Sequence, residues 1–235
     1  MTHTSRLLPT QVGQPGVVVS ETVGRQIGLA VSDQKEIHEA NRCRFAAHRQ
    51  YDGAVARQSL IEHLAANALR TDGPFTLRSG AVSDWYVDAR QTTFDGAGAR
   101  IVGDAVLSVL EPGVAAVGGM TMGADPIAIA TAMRAAETGR SLKAFSIRKE
   151  VKDHGTGGRI VGPVDTSMSL TVLEDTTTTG SAAVEAARYL LDEGFHIVQA
   201  IALVDRSDGK ARDNFESLGI EHIALVTPAD LGVGP

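Results

Sequence analysis

From Ala54 onward, short apolar segments alternate with helical patterns, and this alternation leaves few folds open. Strand-like segments lie at 113–119, 143–149, 169–175, 196–205 and 221–226. Helical spacing of apolar residues predicts helices at 54–70, 97–110, 125–137 and 181–194. Parallel strands that are buried on both faces have such near-continuous apolar sequences. We therefore predict the α/β class, with a parallel twisted sheet flanked by helices.

The strand ends of such a sheet are the first place to look for a site, because ligands of parallel sheets bind beyond the carboxyl ends of the strands. This rule selects four places in the sequence. They follow Gly118-Gly119, Arg148-Lys149, Glu174-Asp175 and Asp205-Arg206.

The first 52 residues differ from the rest of the 235-residue chain. They show weak patterning and then a segment rich in charge and histidine, so we predict an N-terminal extension of unknown role at 1–52. A chain of this length suits one α/β domain with additions. We place that domain at 53–235, with a hairpin-like element at 75–90 near its start.

Charge and cysteine content exclude several classes of protein. The net charge of −6 and the pI near 5.6 give no basic footprint, which argues against a nucleic acid partner. No apolar run approaches the roughly 18 residues of a membrane span, and no secretory signal is apparent. Cys43 is the only cysteine, so it cannot form an intramolecular disulfide. We expect a cytoplasmic protein without membrane or nucleic acid partners.

The segment 170–181, LTVLEDTTTTGS, joins a predicted strand to a predicted helix through a polar turn. Backbone N–H groups at the start of a helix, together with the helix dipole, favour a bound anion such as phosphate. The threonine hydroxyls add donors without charge. No lysine follows the glycine as in a Walker-type loop, and the chain has no G-x-G-x-x-G for a dinucleotide. The alternative is an ordinary N-capped loop.

Glu174 and Asp175 directly precede this turn, although their charge would repel a phosphate. Ionised carboxylates only accept hydrogen bonds, so they suit the vicinal hydroxyls of a ribose. A sugar with its 5-phosphate in the threonine turn and its 2- and 3-hydroxyls on the two acids satisfies both parts. The pattern therefore predicts a ribose phosphate site.

A second polar segment, FSIRKEVKDHGTGGRIVGP at 145–163, follows another strand end. Its leading cationic side chains are Arg148, Lys149, Lys152 and His154. Cations on a glycine-rich connection suit closure over a polyanion, and they stabilise the negative charge that grows when diphosphate leaves a sugar. The alternative is a solvated hairpin tip, because Glu150 and Asp153 offset part of the positive charge.

These segments carry a family resemblance. VLEDTTTTGSA is similar to the loop that binds phosphoribosyl diphosphate (PRPP) in type I phosphoribosyltransferases. RKEVKDHGTGG resembles the R-K-x-x-K-x-H-G loop of the orotate phosphoribosyltransferase branch, and FTLRSG with SDWYVD resembles its N-terminal hood. The resemblance covers roughly 54–227. It implies the type I phosphoribosyltransferase fold, with the hood at about 53–95 and the PRPP-binding core at about 96–227.

The implied reaction transfers the phosphoribosyl group of PRPP to orotate and gives orotidine 5′-monophosphate and diphosphate, in pyrimidine biosynthesis. The family also implies Mg²⁺, bound mainly through PRPP and not directly by protein side chains. A homodimer with shared active sites is implied as well. Two other functions stay open: a phosphoribosyltransferase for another base, and a non-catalytic regulator that senses PRPP.

The resemblance assigns roles residue by residue. The implied PRPP-binding residues are Arg78, Arg148, Lys149, Lys152, His154, Glu174, Asp175, Thr176, Thr177, Thr178, Thr179, Gly180, Ser181 and Ala182. The implied orotate contacts are Tyr86, Val87, Thr178 and Arg206. The implied catalytic residues are Lys149, Lys152, His154 and Asp175. For Trp85, next to Tyr86, the alternative to a contact with orotate is an ordinary packing role in the core of the hood.

The sequence departs from the family pattern at two positions. Arg78 stands where the hood motif usually has lysine, which keeps a cation with different donor geometry. Thr121, Met122 and Gly123 stand where many members have Tyr-Lys-Gly, so a lysine that contacts diphosphate is missing. We expect Thr121, backbone groups or the loop cations to serve instead.

Overall fold

The structure, a computed structural model, describes residues 53–76, 80, 82–150 and 158–234, all within one compact unit, Cys43–Pro235. The predicted extension at 1–52 and the candidates Arg78, Lys152 and His154 lie outside the described residues. The division of the chain at 52/53 therefore stays a prediction.

The segment predicted to form the hood comes first among the described residues. Residues 53–67 form a helix (α1), followed by β1 (Leu69–Arg70), β2 (Phe75–Thr76), β3 (Val82–Ser83), β4 (Tyr86–Val87) and the one-turn helix α2 (Arg90–Thr93). β2 and β3 pair antiparallel, as the hairpin predicted at 75–90 requires. β4 pairs with β1 instead, which returns the chain to the end of α1.

The core contains a six-stranded sheet. Its helices and strands are α3 (Gly96–Val109), β5 (Ala116–Met120), α4 (Ala124–Glu137), β6 (Lys143–Ile147), β7 (Ile160–Val161), β8 (Ser169–Thr177), α5 (Ser181–Asp192), β9 (His196–Asp205), α6 (Lys210–Glu216) and β10 (Glu221–Val226). A short 3₁₀ turn, Ala229–Leu231, follows. The strand order is β10-β9-β8-β5-β6-β7, and all neighbours are parallel except β6 and β7.

Two buried clusters cover the two faces of this sheet. Val117 and Leu173 belong to one cluster, whereas their chain neighbours Ala116 and Val172 belong to the other. Successive strand residues point to opposite faces, so the clusters lie on opposite sides. The first cluster includes apolar residues of α1, α3 and α4, and the second includes those of α5 and α6. The predicted α/β fold is confirmed.

One strand boundary differs from the prediction where it affects the site. The sequence predicts that the turn begins at Thr176, but β8 continues through Thr176 and Thr177, which pair with Val204 and Asp205 of β9. β-Branched threonine fits an extended backbone, so the ladder runs on to the end of β9. None of the helices among the described residues is long and apolar enough to span a membrane.

Candidate active site

The four places selected from the sequence lie at one edge of the sheet. β9, β8, β5 and β6 are consecutive neighbours and run parallel, so their carboxyl ends are side by side. The segments that leave this edge carry Arg206, the acid pair with the threonine turn, the Thr121–Gly123 turn, and Arg148 with Lys149.

Glu174 and Asp175 are half-buried on β8. Asp175 Oδ1 accepts a hydrogen bond of 2.7 Å from the Thr176 N–H, whereas Glu174 Oε2 is buried with no hydrogen-bond partner among the described residues. Burial and, second, the charge of Asp175 raise the pKa of Glu174 to about 8. Burial also raises the pKa of Asp175, although the Thr176 N–H and Arg90 oppose it. The pair is a poorly solvated carboxyl site, which in its ionised form is suited to hydroxyl donors.

The turn after β8 comprises Thr178, Thr179 and Gly180. Gly180 has a φ of +76°, and a Cβ there would lie 3.1 Å from the Cβ of Ala211, so both backbone angle and space call for glycine. α5 begins at Ser181, whose N–H donates to Thr179 Oγ1 over 3.4 Å. Hydroxyls and the start of α5 thus form a set of donors for an anion.

Arg148 and Lys149 follow β6. The Arg148 N–H donates to the carbonyl of Arg159 (2.9 Å), and Arg159 Nε donates to the carbonyl of Arg148 (2.7 Å). The Arg159 guanidinium also donates to Glu185 on α5 (2.8 Å) and lies 4.8 Å from the ring centre of Tyr189. Arg159 therefore ties the backbone of Arg148 to α5, while the side chain of Lys149 is exposed.

The hood meets the core at Arg206. The central guanidinium carbon of Arg206 lies 4.2 Å from the centre of the Trp85 ring, and the Arg206 N–H donates to the carbonyl of Thr177 (2.8 Å). Burial lowers the pKa of Arg206, while Tyr86 nearby acts in the opposite direction. Tyr86 is half-buried and Val87 is buried. Tyr86, which is predicted to flank orotate, is therefore close to the arginine predicted to bind it.

The Thr121 hydroxyl is already engaged. Thr121 Oγ1 donates to Asp125 Oδ2 over 2.7 Å at the start of α4, and the Met122 side chain is 61% exposed. Thr121 is thus a weaker replacement for the missing lysine than backbone groups or the cations at the end of β6.

Arg90 on α2 is a further cation near the acid pair that the motif comparison does not identify. Its Nε donates to Asp88 Oδ1 over 2.7 Å, and its charge lowers the pKa of Asp175. The same guanidinium is close enough to Tyr86 for the two to interact electrostatically. Its only sequence signal is its position at the end of the hood segment SDWYVDAR.

In the part of the chain that the structure describes, no group of three or more His, Cys, Asp or Glu side chains could hold a metal ion. Mg²⁺ prefers an octahedral shell of oxygen ligands. The acid pair could supply part of such a shell, or accept hydrogen bonds from water bound to the ion.

Comparison with known proteins decides the family. No protein-family model matches the chain. The orotate phosphoribosyltransferase of Tropheryma whipplei is 38% identical over 182 residues, which cover 77% of this chain and 84% of the relative. The chain belongs to the orotate phosphoribosyltransferase family. The predicted resemblance is thereby confirmed, and with it the activity class, a pentosyltransferase enzyme.

Solved structures of the family agree with the fold. The orotate phosphoribosyltransferase of Mycobacterium tuberculosis in complex with Fe(III) dicitrate is 32% identical, with a TM-score of 0.66, and the match covers 76% of this chain and 99% of that chain. The same enzyme in complex with PRPP is 30% identical, with a TM-score of 0.62 and the same coverage. The roles of individual residues in this member of the orotate phosphoribosyltransferase family are proposals, developed below.

Proposed function

We propose that the protein transfers the phosphoribosyl group of PRPP to orotate, which gives orotidine 5′-monophosphate and diphosphate in pyrimidine biosynthesis. One observation carries the choice of base: Arg206 has no hydrogen bond or ion pair from its guanidinium to a described residue, and it lies at the same sheet edge as the acid pair. A carboxylated base suits this guanidinium, whereas adenine and uracil have no carboxylate. Family membership supports the same substrate.

The ribose and its phosphate occupy the end of β8 in this proposal. Glu174 and Asp175 accept hydrogen bonds from the 2- and 3-hydroxyls. The phosphate is bound by donors at the end of β8, in the turn and at the start of α5, namely Thr176, Thr177, Thr178, Thr179, Gly180, Ser181 and Ala182. Hydrogen bonds from the ribose hydroxyls favour the ionised form of a carboxylate, which offsets part of the burial that raises the pKa of Glu174 to about 8.

Orotate binds between the hood and the core. The Arg206 guanidinium pairs with the orotate carboxylate, the bidentate recognition that arginine geometry favours. Tyr86 and Val87 flank the flat ring, and Thr178 contacts it from the turn.

In the reaction, the bond from the sugar C1 to the diphosphate oxygen breaks, a bond from C1 to a ring nitrogen of orotate forms, and the proton of that nitrogen passes to the departing diphosphate or to water. The electron pair of the broken bond leaves with diphosphate, and the sugar passes through an oxocarbenium-like transition state. Lys149, Lys152 and His154 stabilise the charge that grows on diphosphate, which Arg78 and Arg148 help to bind. The carboxylate of Asp175 favours the positive charge of the sugar. No protein nucleophile is required.

Mg²⁺ would be held mainly by the phosphates and hydroxyls of PRPP, and it would neutralise part of the charge of diphosphate. Glu174 and Asp175 would accept hydrogen bonds from its water shell.

We further propose that the protein is a cytoplasmic homodimer with shared active sites, in which the cations of the 148–154 segment act at the site of the neighbouring subunit. The single cysteine, Cys43, agrees with a reducing compartment. Mixing an inactive Lys152→Ala chain with an inactive Arg206→Ala chain tests the sharing. Part of the activity returns if each subunit contributes a different half of the site, and none returns if it does not.

The activity itself is tested by incubating the protein with PRPP and Mg²⁺ and, in separate reactions, orotate, adenine or uracil. We expect diphosphate release in the reaction with orotate and none in the reactions with adenine or uracil. Consumption of another base would contradict the assignment of orotate, and consumption of none would leave the non-catalytic PRPP sensor. A Lys152→Ala variant with unaffected turnover would rule out a major role for that lysine.

A further inference from the structure

Among the residues that the structure describes, an aromatic ring and not a carboxylate holds the Arg206 guanidinium. The distance of 4.2 Å to the centre of the Trp85 ring is within the range of a cation over an aromatic face. Within the described residues, the guanidinium has no hydrogen bond or ion pair. Its backbone is fixed at the end of β8 by the hydrogen bond to the carbonyl of Thr177 (2.8 Å). The side chain is therefore oriented by the ring and partly desolvated, and no carboxylate of the described residues pairs with it.

The Trp85 ring has a fixed position of its own. It is only 7% exposed and belongs to the same buried cluster as Leu60 and Leu64 of α1. Ser83 Oγ donates to the carbonyl of Trp85 over 2.8 Å, which holds the backbone between β3 and β4. A ring immobilised before the ligand arrives loses little side-chain entropy on binding.

Stacking on a ring uses the face of a guanidinium and leaves the N–H groups of its edge available in one plane. That planar fork matches the two oxygens of a carboxylate. An arginine without such support samples several rotamers, of which only some can meet the ligand. Packing alone explains the burial of Trp85, but it does not explain why a charged group that no described carboxylate pairs with lies over its face.

We propose that Trp85 is a positioning residue that holds the Arg206 guanidinium flat, so that the free edge receives the carboxylate of the base. This inference deepens the proposed function and rests on it for the identity of the ligand. It makes Trp85, together with Arg206, a determinant of selectivity for a carboxylated pyrimidine over one without a carboxylate.

Two substitutions separate the aromatic face from the buried volume. Trp85→Phe keeps a ring and Trp85→Leu keeps only apolar bulk. We expect Trp85→Leu to raise the KM for orotate about five- to tenfold, and Trp85→Phe to raise it by less. In both variants the KM for PRPP should stay within about twofold of wild type. Phe195→Leu, which removes a ring 9% exposed in the second cluster, is the control for lost packing. An unchanged orotate KM in Trp85→Leu, or a parallel rise in both KM values, overturns the proposal.

A double-mutant cycle adds a readout that a purely structural role would not change. Arg206→Lys keeps a charge but loses the planar fork and its stacking. In that background we expect Trp85→Leu to change the orotate KM by no more than about twofold, because the interaction is already lost. Equal effects of Trp85→Leu in the two backgrounds overturn the proposal.

Trp85 is the only tryptophan of the chain, so its fluorescence reports on Arg206 in the unaltered protein. We expect a saturable change on titration with orotate, weaker in Arg206→Lys, and no change with uracil. Because this measurement needs no turnover, it separates the two proposals. A signal with orotate but no catalysis leaves the positioning role intact and contradicts the enzymatic function. Catalysis without an orotate-dependent signal overturns the positioning role, and the absence of both contradicts both proposals.

Discussion

The carboxylate of Asp175 lies directly against the backbone of Gly123: a Cβ added to residue 123 would stand 2.8 Å from Oδ1 and 3.1 Å from Oδ2. The missing side chain at residue 123, in the turn after β5, therefore leaves room for the acid on β8. Asp175 cannot move away at no cost, because Oδ1 also accepts the Thr176 N–H over 2.7 Å. The open space at residue 123 thus fixes the position of Asp175, which is proposed to bind the ribose.

Gly123→Ala should displace the Asp175 carboxylate and lower kcat/KM for PRPP about tenfold or more, since small misplacements of a reacting group have such effects. Overpacking should cost about 1–3 kcal/mol of unfolding free energy. Steady-state kinetics and urea unfolding measure both. Gly113→Ala is the matched control, because a Cβ there meets nothing within 4 Å. If both variants have the same kcat/KM, the contact does not matter for the site.

The sequence predicts most of the strands of the sheet because the periodicity of apolar residues is a property of single segments. It does not predict the two-residue strand β7, whose pairing with β6 is too short to leave a periodic signal. It also places the start of the turn too early at Thr176, because the end of β8 depends on how far β9 continues beside it.

In the site, too, features of a single segment can be predicted from the sequence, whereas contacts between distant segments cannot. The acids and threonines of β8 and its turn are one continuous segment, so their proximity can be predicted from the chain. The contacts of Asp175 with Gly123 and of Arg206 with Trp85 join segments that are distant in sequence. Neither contact follows from composition or spacing, because the first depends on how β5 and β8 lie side by side and the second on how the hood packs against the sheet edge.

Stability should depend on pH through Glu174. Its pKa is raised to about 8 in the folded protein, against about 4.3 in an unfolded chain. The folded state therefore retains a proton that the unfolded state releases between these values, and the free energy of unfolding falls as pH rises from about 4 to about 8. Glu174→Gln removes this dependence and should be more stable than wild type by about 2–4 kcal/mol above about pH 8.

Urea unfolding at acidic, neutral and alkaline pH measures the effect. Glu216→Gln, at an exposed position on α6, should follow the wild-type profile. A Glu174→Gln profile parallel to that of wild type would show that burial does not raise the pKa of this carboxyl.

Arg159→Ala should destabilise the end of β6. The substitution removes donors to the carbonyl of Arg148 and to Glu185 as well as the contact with Tyr189. We expect a loss of about 1–3 kcal/mol in unfolding free energy, together with a higher KM for PRPP. Glu185→Gln removes only the ion pair with Arg159. The Glu185 side chain is 57% exposed, so the loss in unfolding free energy should stay below about 1 kcal/mol. Equal losses in the two variants would mean that only the ion pair contributes.

Met122→Lys should restore a cation at the position where many family members have lysine. Met122 is 61% exposed and precedes Gly123, which touches the Asp175 carboxylate, so a lysine there could reach the diphosphate of PRPP. We expect the KM for PRPP to fall about two- to fivefold at low ionic strength, and less at high salt, because exposed charges are screened.

Met133→Lys adds the same charge at a position 62% exposed on α4 and should have little effect. If both variants lower the KM equally, the gain comes from the overall charge of the protein. If neither does, the cations of the 148–154 segment already provide the charge that the missing lysine provides elsewhere in the family.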